Sequence, residues 1–312
     1  MELGGMQSER TRLAAAGARA TVAASLSNRP RRDVVLNNAF AALLLLAVLI
    51  ALAGLVALLA QAFVKGAPAL GTDLFTDVPS TLRPESAGFR PAILGSLELI
   101  AGVILFVVPI GIGSAIYLEE YADNTRWWNR MIEVNIQNLA AVPSIIYGIL
   151  GLGFIVRGPL DLGFVLVAGS LTLALLVLPM VIIAAREAIR AVPDSIRQGA
   201  LALGATRWQT IRRQVLPASV PGIATGVILA ISRALGEAAP LLLVGATVFV
   251  TFDPTPFGDG FSAMPVQIFQ YATRPQEEFQ ALAFAGVIVM LGVLLAMNSF
   301  AIWLRNRYEQ RW

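Results

Sequence analysis

The chain has 312 residues, 57% of them hydrophobic and 14% charged, with a mean hydropathy of +0.72 and a formal net charge of +3, far from the balance of a soluble domain and in the range of an integral membrane protein. Cysteine and histidine are absent, which excludes a disulfide framework, a thiol nucleophile, Ser-His and Cys-His catalytic pairs and the common zinc sites. Lys65 is the sole lysine and stands in Val64-Lys65-Gly66-Ala67, not in a G-x-x-x-x-G-K-[ST] loop, so the chain supplies no P-loop for ATP.

Residues 1–38 are polar, rich in Ala and Arg and broken by Ser27-Asn28-Arg29-Pro30, the composition of a disordered or loosely surface-bound basic tail. Six apolar runs follow, near 39–63, 92–117, 136–156, 162–184, 219–249 and 281–304. Each offers the roughly 20 helical residues that cross a hydrocarbon core of about 30 Å. The first is too long for the apolar region of a signal peptide. The expectation is an all-α integral membrane protein with a six-helix domain over 39–312. Seventeen Arg and Lys fall in the tails and in the connectors at 118–135 and 185–218, against five in the alternate loops. The positive-inside bias therefore puts both termini and the 185–218 connector in the cytoplasm. The Pro- and Gly-rich loops 64–91 and 253–278 fall on the other side, either as docking surfaces for an external partner or as plain connectors.

The connector at 185–218 is too patterned for a passive link. Asp194 after Pro193 can start a helix, Gly204 supplies a left-handed stop, and Thr206-Arg207-Trp208-Gln209 has the T-x-x-Q form of a capping box that starts a second helix. Ile196, Ala200 and Leu203 fall at helical spacing on the first helix, and Trp208, Ile211 and Val215 on the second. Two short amphipathic helices flanked by arginines suit either a protein cleft or an anionic lipid surface.

Gly204 followed by Val215-Leu216-Pro217 resembles the EAA loop of ABC-importer permeases, whose coupling helix docks into a cleft of the ATPase subunit. Gln198-Gly199-Ala200 stands where that family has Glu-Ala-Ala, so a neutral side chain replaces the carboxylate. The resemblance implies a type I ABC importer permease fold, with Gln198, Gly199, Ala200, Gly204, Arg207, Trp208, Ile211, Leu216 and Pro217 in the coupling region. It also implies that ATP and Mg are held by a separate ATPase subunit, with no cofactor in this chain.

Ionisable residues inside the apolar runs are few: Glu98, Arg233 and Glu237. Each costs a few kcal/mol at mid-bilayer unless paired or hydrated, so each belongs against protein or water. Arg233 lies near the centre of the fifth run, and Glu237, four residues on, is placed for an intrahelical ion pair. Gly236 and Pro240 thin and kink the same segment. Arg190, just past the fourth run, suits either an exit-side anion contact or a headgroup anchor. Glu98 fits an interhelical hydrogen bond or a protonated, snorkelling carboxyl, and Asn135, Gln137 and Asn138 fit cavity lining or interhelical ties.

Arg233-Ala234-Leu235-Gly236-Glu237 followed by Ala239-Pro240-Leu241-Leu242 is similar to the phosphate-importer permeases of PstA type, as are Glu187-Ala188-Ile189-Arg190 and Val142-Pro143-Ser144-Ile145-Ile146-Tyr147-Gly148. The likeness runs from about residue 90 onward. It implies a bacterial inner-membrane subunit that moves inorganic phosphate, with a second permease of PstC type, PstB-type ATPases, a PstS-type binding protein and surrounding lipid as partners, and no nucleic acid. Arg233, Glu237 and Arg190 become the expected substrate path. Transport of another oxyanion such as sulfate or molybdate, and a non-transporting scaffold or sensor, are the alternative readings.

Overall fold

The computed structural model describes residues 31–123, 125–246, 250–258 and 260–308; residues 1–30, most of the expected basic tail, lie outside the described set. The described chain is helical and carries no strand, only an isolated backbone bridge between Ala246 and Phe261. It divides into two compact units, one ending at Ala60 and one beginning at Gln61. The described part of the first belongs to helix α1, Arg31–Gly66, which is already helical over 31–38, ahead of the apolar run at Ala39. The hydropathy of the run marks only its oil-soluble part. The polar turn before it, with Asp33 favourably placed at the helix N-terminus, is helical too.

The second unit is organised around three long helices: α3 (Arg90–Ile116, preceded by the one-turn α2 at Asp73–Thr76), α6 (Leu166–Arg190) and α9 (Leu216–Leu235). Small residues set their spacing. Gly102 lies against Ser170, Gly111 against Val181, and Gly222 and Gly226 fall on Ala188 and Ala184, so a Cβ at any of these glycines would collide with the facing helix. The Gly222-x-x-x-Gly226 pair is the close-approach device of membrane helices, where packing and not the hydrophobic effect holds helices together. The core at these crossings includes Val103, Val107, Val177 and Val181, each 2% exposed or less.

Two of the apolar runs are not single helices. The third divides into α4 (Trp127–Ala140) and α5 (Ser144–Leu150, continuing through a π-helical turn to Val156), bent by 107° at Ala141-Val142-Pro143. Pro143 drives Val142 out of the helical region and removes a backbone donor. The fifth run stops at Leu235, well short of 249; Gly236 caps it, and a short helix α10 (Ala239–Leu243) begins with Pro240 in its first turn. With α12 (Glu277–Tyr308), five helices among the described residues are long and apolar enough to cross a bilayer, and six if the bent pair counts as one span.

The loops 64–91 and 253–278 are more than connectors. Leu74, Ala87 and Phe89 from one pack with Tyr271, in helix α11 (Met264–Ala272), and with Phe279. The Phe89 and Tyr271 rings meet edge to face at 5.1 Å, and the Tyr271 hydroxyl donates to the Gly88 carbonyl at 3.1 Å.

Candidate functional site

The connector folds as its local chemistry requires. Helix α7 spans Asp194–Ala202, Gly204 adopts φ +83°, and helix α8 (Arg207–Thr210) starts with both halves of the Thr206–Gln209 capping box formed. From α8 the chain runs through a π-helical turn, Ile211–Val215, straight into α9, so Arg207 to Leu235 is one continuous helix. Its outer surface shows Leu203 at 91% exposure and Leu201 and Trp208 at 51% each, with Gln198, Gly199, Arg207 and Pro217 exposed beside them and Ala200 half-buried. Ile211 is placed otherwise: it is 1% exposed, turned inward like Val215, and so not free to meet a partner. Leu216 packs against the cluster of Val215, Ile189 and Ile223. Amphipathic spacing gave the apolar stripe correctly but not what covers it; the protein itself covers the Ile211 half.

At the same end, charges meet in a network that runs from the buried Arg186 to the half-exposed Arg190. Glu119 accepts from Arg190 through Nε and Nη2 at 2.9 and 3.0 Å, and from Arg186 at 3.4 Å; Arg186 also reaches Glu133 at 3.0 Å. Arg190 is therefore compensated by a carboxylate 71 residues away in sequence. Asn135 donates to Met131 of its own helix, and Gln137 and Asn138 are exposed; none of the three ties helices together among the described residues.

Arg233 lies in the last turn of α9, beside Met180 in the middle of α6. Its Nη1 points at the Met180 sulfur at 3.2 Å. Met180 in turn is about 21 Å along α6 from Leu166 and about 15 Å from Arg190 at 1.5 Å per residue. The Arg233 side chain is 43% exposed, and its Nε is 3.5 Å from Glu237 Oε1, whose side chain is 18% exposed. That pair is not intrahelical: Glu237 stands in the irregular step after Gly236. Breaking the helix between them leaves the guanidinium half open, with only a moderate contact to its carboxylate. Nearby, Ser232 donates to Asn298 at 3.2 Å, joining α9 to α12, and Gly148 of α5 abuts Pro240. Glu98 has a buried Oε2 with no hydrogen-bond partner, so the expected interhelical bond to that atom is not formed among the described residues.

Residues 107–311 match the family described as binding-protein-dependent transport system inner membrane component. The phosphate transport system permease protein PstA of Yersinia pestis is 35% identical over 237 residues, covering 76% of this chain and 79% of its own length. The protein of the same name from Haemophilus influenzae is 34% identical over 266 residues, covering 85% and 92%. Among solved structures, a chain of a bacterial alginate ABC transporter in complex with a pentasaccharide-bound periplasmic protein superposes with a TM-score of 0.66 at 19% identity, covering 89% of this chain and 98% of that one.

Proposed function

This chain belongs to the binding-protein-dependent transport system inner membrane component family, and from that premise we propose that it is the permease subunit of an ATP-driven importer of inorganic phosphate. The observation that carries the reading is the half-exposed guanidinium of Arg233, held beside Met180 in the middle of the apolar helix α6. An ion of one to two negative charges does not cross hydrocarbon unaided, and a fixed guanidinium in a wet cavity gives it a foothold. Glu237 competes for that guanidinium and lets the ligand leave. It also accepts a hydrogen bond from a protonated phosphate oxygen, which sulfate lacks at neutral pH, so the same carboxylate disfavours sulfate.

The exposed face of Leu201, Leu203 and Trp208 is the docking surface for the ATPase subunit, to which ATP and Mg belong in this reading. Trp208 and Arg233 lie on one continuous helix, about 37 Å apart at 1.5 Å per residue, so closure of the ATPases tilts the rod whose far end carries the anion contact. A PstC-type permease completes the pore, PstB-type ATPases drive it and a PstS-type protein delivers phosphate at the outer face. Both termini face the cytoplasm, on the side of the basic connector. Support comes from the named relatives, the docking face and the charge bias together.

The test is ATP-dependent phosphate uptake into vesicles carrying the complete complex, with sulfate as competitor. Phosphate uptake insensitive to sulfate is expected, and Glu237→Gln should admit sulfate. Uptake of sulfate or molybdate in preference to phosphate would replace the substrate. Tight ATPase binding with no anion flux would replace the function.

A further inference from the structure

Helix α3 ends in a widened, π-helical turn at Tyr117–Tyr121, closed by the Ala122 amide donating to the Tyr117 carbonyl at 2.8 Å. Three successive side chains of this turn fan out, and each takes a different element. Glu119 meets Arg186 and Arg190 of α6. Glu120, 8% exposed, meets Arg197 of α7 at 2.9 and 3.1 Å. The Tyr121 ring lies under the Arg207 guanidinium of α8, 5.1 Å away. Arg197 also donates to the carbonyls of Ile189 and Val192 at the end of α6, and to Asp194 at 3.2 Å. A single planar guanidinium thus joins α3, α6 and α7, a task that needs several donors in a fixed fork and that lysine's point charge does not reproduce.

We propose that Glu120 and Tyr121, through Arg197 and Arg207, are positioning residues that transmit movement of the α7–α8 pair into α3. The inference rests on the reading that this pair docks the ATPase subunit. The docking helices are also joined covalently to α6 through Ala191–Pro193 and to α9 through Pro217, and α3 packs on α6 through Gly102 and Gly111; the clamp adds a direct polar link from α7 and α8 to α3. With it, both helices flanking α6 move together. A π-turn at this point fits such a duty, since these turns interrupt regular helices where a side-chain direction matters.

The experiment uses the complete complex in proteoliposomes and reads phosphate moved per ATP hydrolysed. Glu120→Gln and Arg197→Lys should keep the ATPase subunit bound and hydrolysing while that ratio falls at least fivefold. The double variant Glu120→Gln with Arg197→Lys should lose no more than the worse single variant, as two residues of one link do. Should Glu120→Gln fail to accumulate, Tyr121→Leu, which removes only the ring under Arg207, is expected to lower the ratio as well. Wild-type ratios in the single variants, or losses that add in the double variant, would overturn the clamp. A wild-type complex that hydrolyses ATP without moving phosphate would instead remove the reading beneath it.

Discussion

Truncating Trp208 separates a docking surface from a folded core. The side chain is 51% exposed. A tryptophan buries up to about 250 Å² when covered, so roughly 100 Å² of ring remains for a partner. At about 25 cal/mol per Å², and allowing for what alanine keeps, covering that ring is worth about 2 kcal/mol, or roughly thirtyfold in affinity. Leu203, 91% exposed, gives a comparable figure, since burying a whole leucine side chain is worth about 1.5–3 kcal/mol. Ile211 supplies the contrast: it is already buried, so Ile211→Ala should cost about 2–5 kcal/mol of fold stability. Detergent-solubilised permease complex titrated with purified ATPase subunit reads the affinities, and thermal unfolding reads the stability. Trp208→Ala and Leu203→Ala should bind about thirtyfold more weakly with unchanged melting. Unchanged binding in both, or weakened binding with normal melting in Ile211→Ala, would refute the assignment of the docking face.

Two further outcomes follow from the packing and from the charge of Arg233. A monovalent anion about 4 Å from a guanidinium gains about 1 kcal/mol in bulk water and about 4 kcal/mol at an effective dielectric of 20. For a half-exposed Arg233 a value near 2 kcal/mol is apt, so Arg233→Gln should slow binding-protein-dependent phosphate uptake roughly thirtyfold, and a loss under threefold would count against it. Gly226→Leu should force α6 and α9 apart at Ala184 and destabilise the isolated subunit by at least about 1–3 kcal/mol, read as a lower melting temperature in detergent.

What the residues reveal unaided follows the range of the forces involved. Gly204 and the Thr206–Gln209 box act within a few residues, and both form as their chemistry requires. The apolar runs likewise report oil solubility position by position, and five long helices plus one bent pair answer to them. Three things depend on distant parts of the chain. Arg190 is marked in the sequence as a cation, but its partner Glu119 is set by how α3 and α6 pack. Ile211 shares a helical stripe with Trp208, yet the fold covers one and leaves the other open. Gly236 and Pro240 signal a kink; that the helix stops outright and leaves Arg233 at a broken end depends on α10 finding a seat against Gly148 of α5.

The central claim is that the surroundings of Arg233 are wet and that its positive charge serves the passing anion. The natural chain has no cysteine, so a thiol placed at position 233 reports on that position alone within this subunit. Arg233→Cys, assembled with cysteine-free partners, should react with a water-soluble cationic methanethiosulfonate at a rate within about tenfold of the exposed control Arg212→Cys, as expected for an open, hydrated site. The cationic adduct should restore part of the lost phosphate uptake, and a neutral adduct of similar size should not. A thiol that stays unreacted throughout the ATP cycle, or uptake that recovers equally with either adduct, would contradict the account.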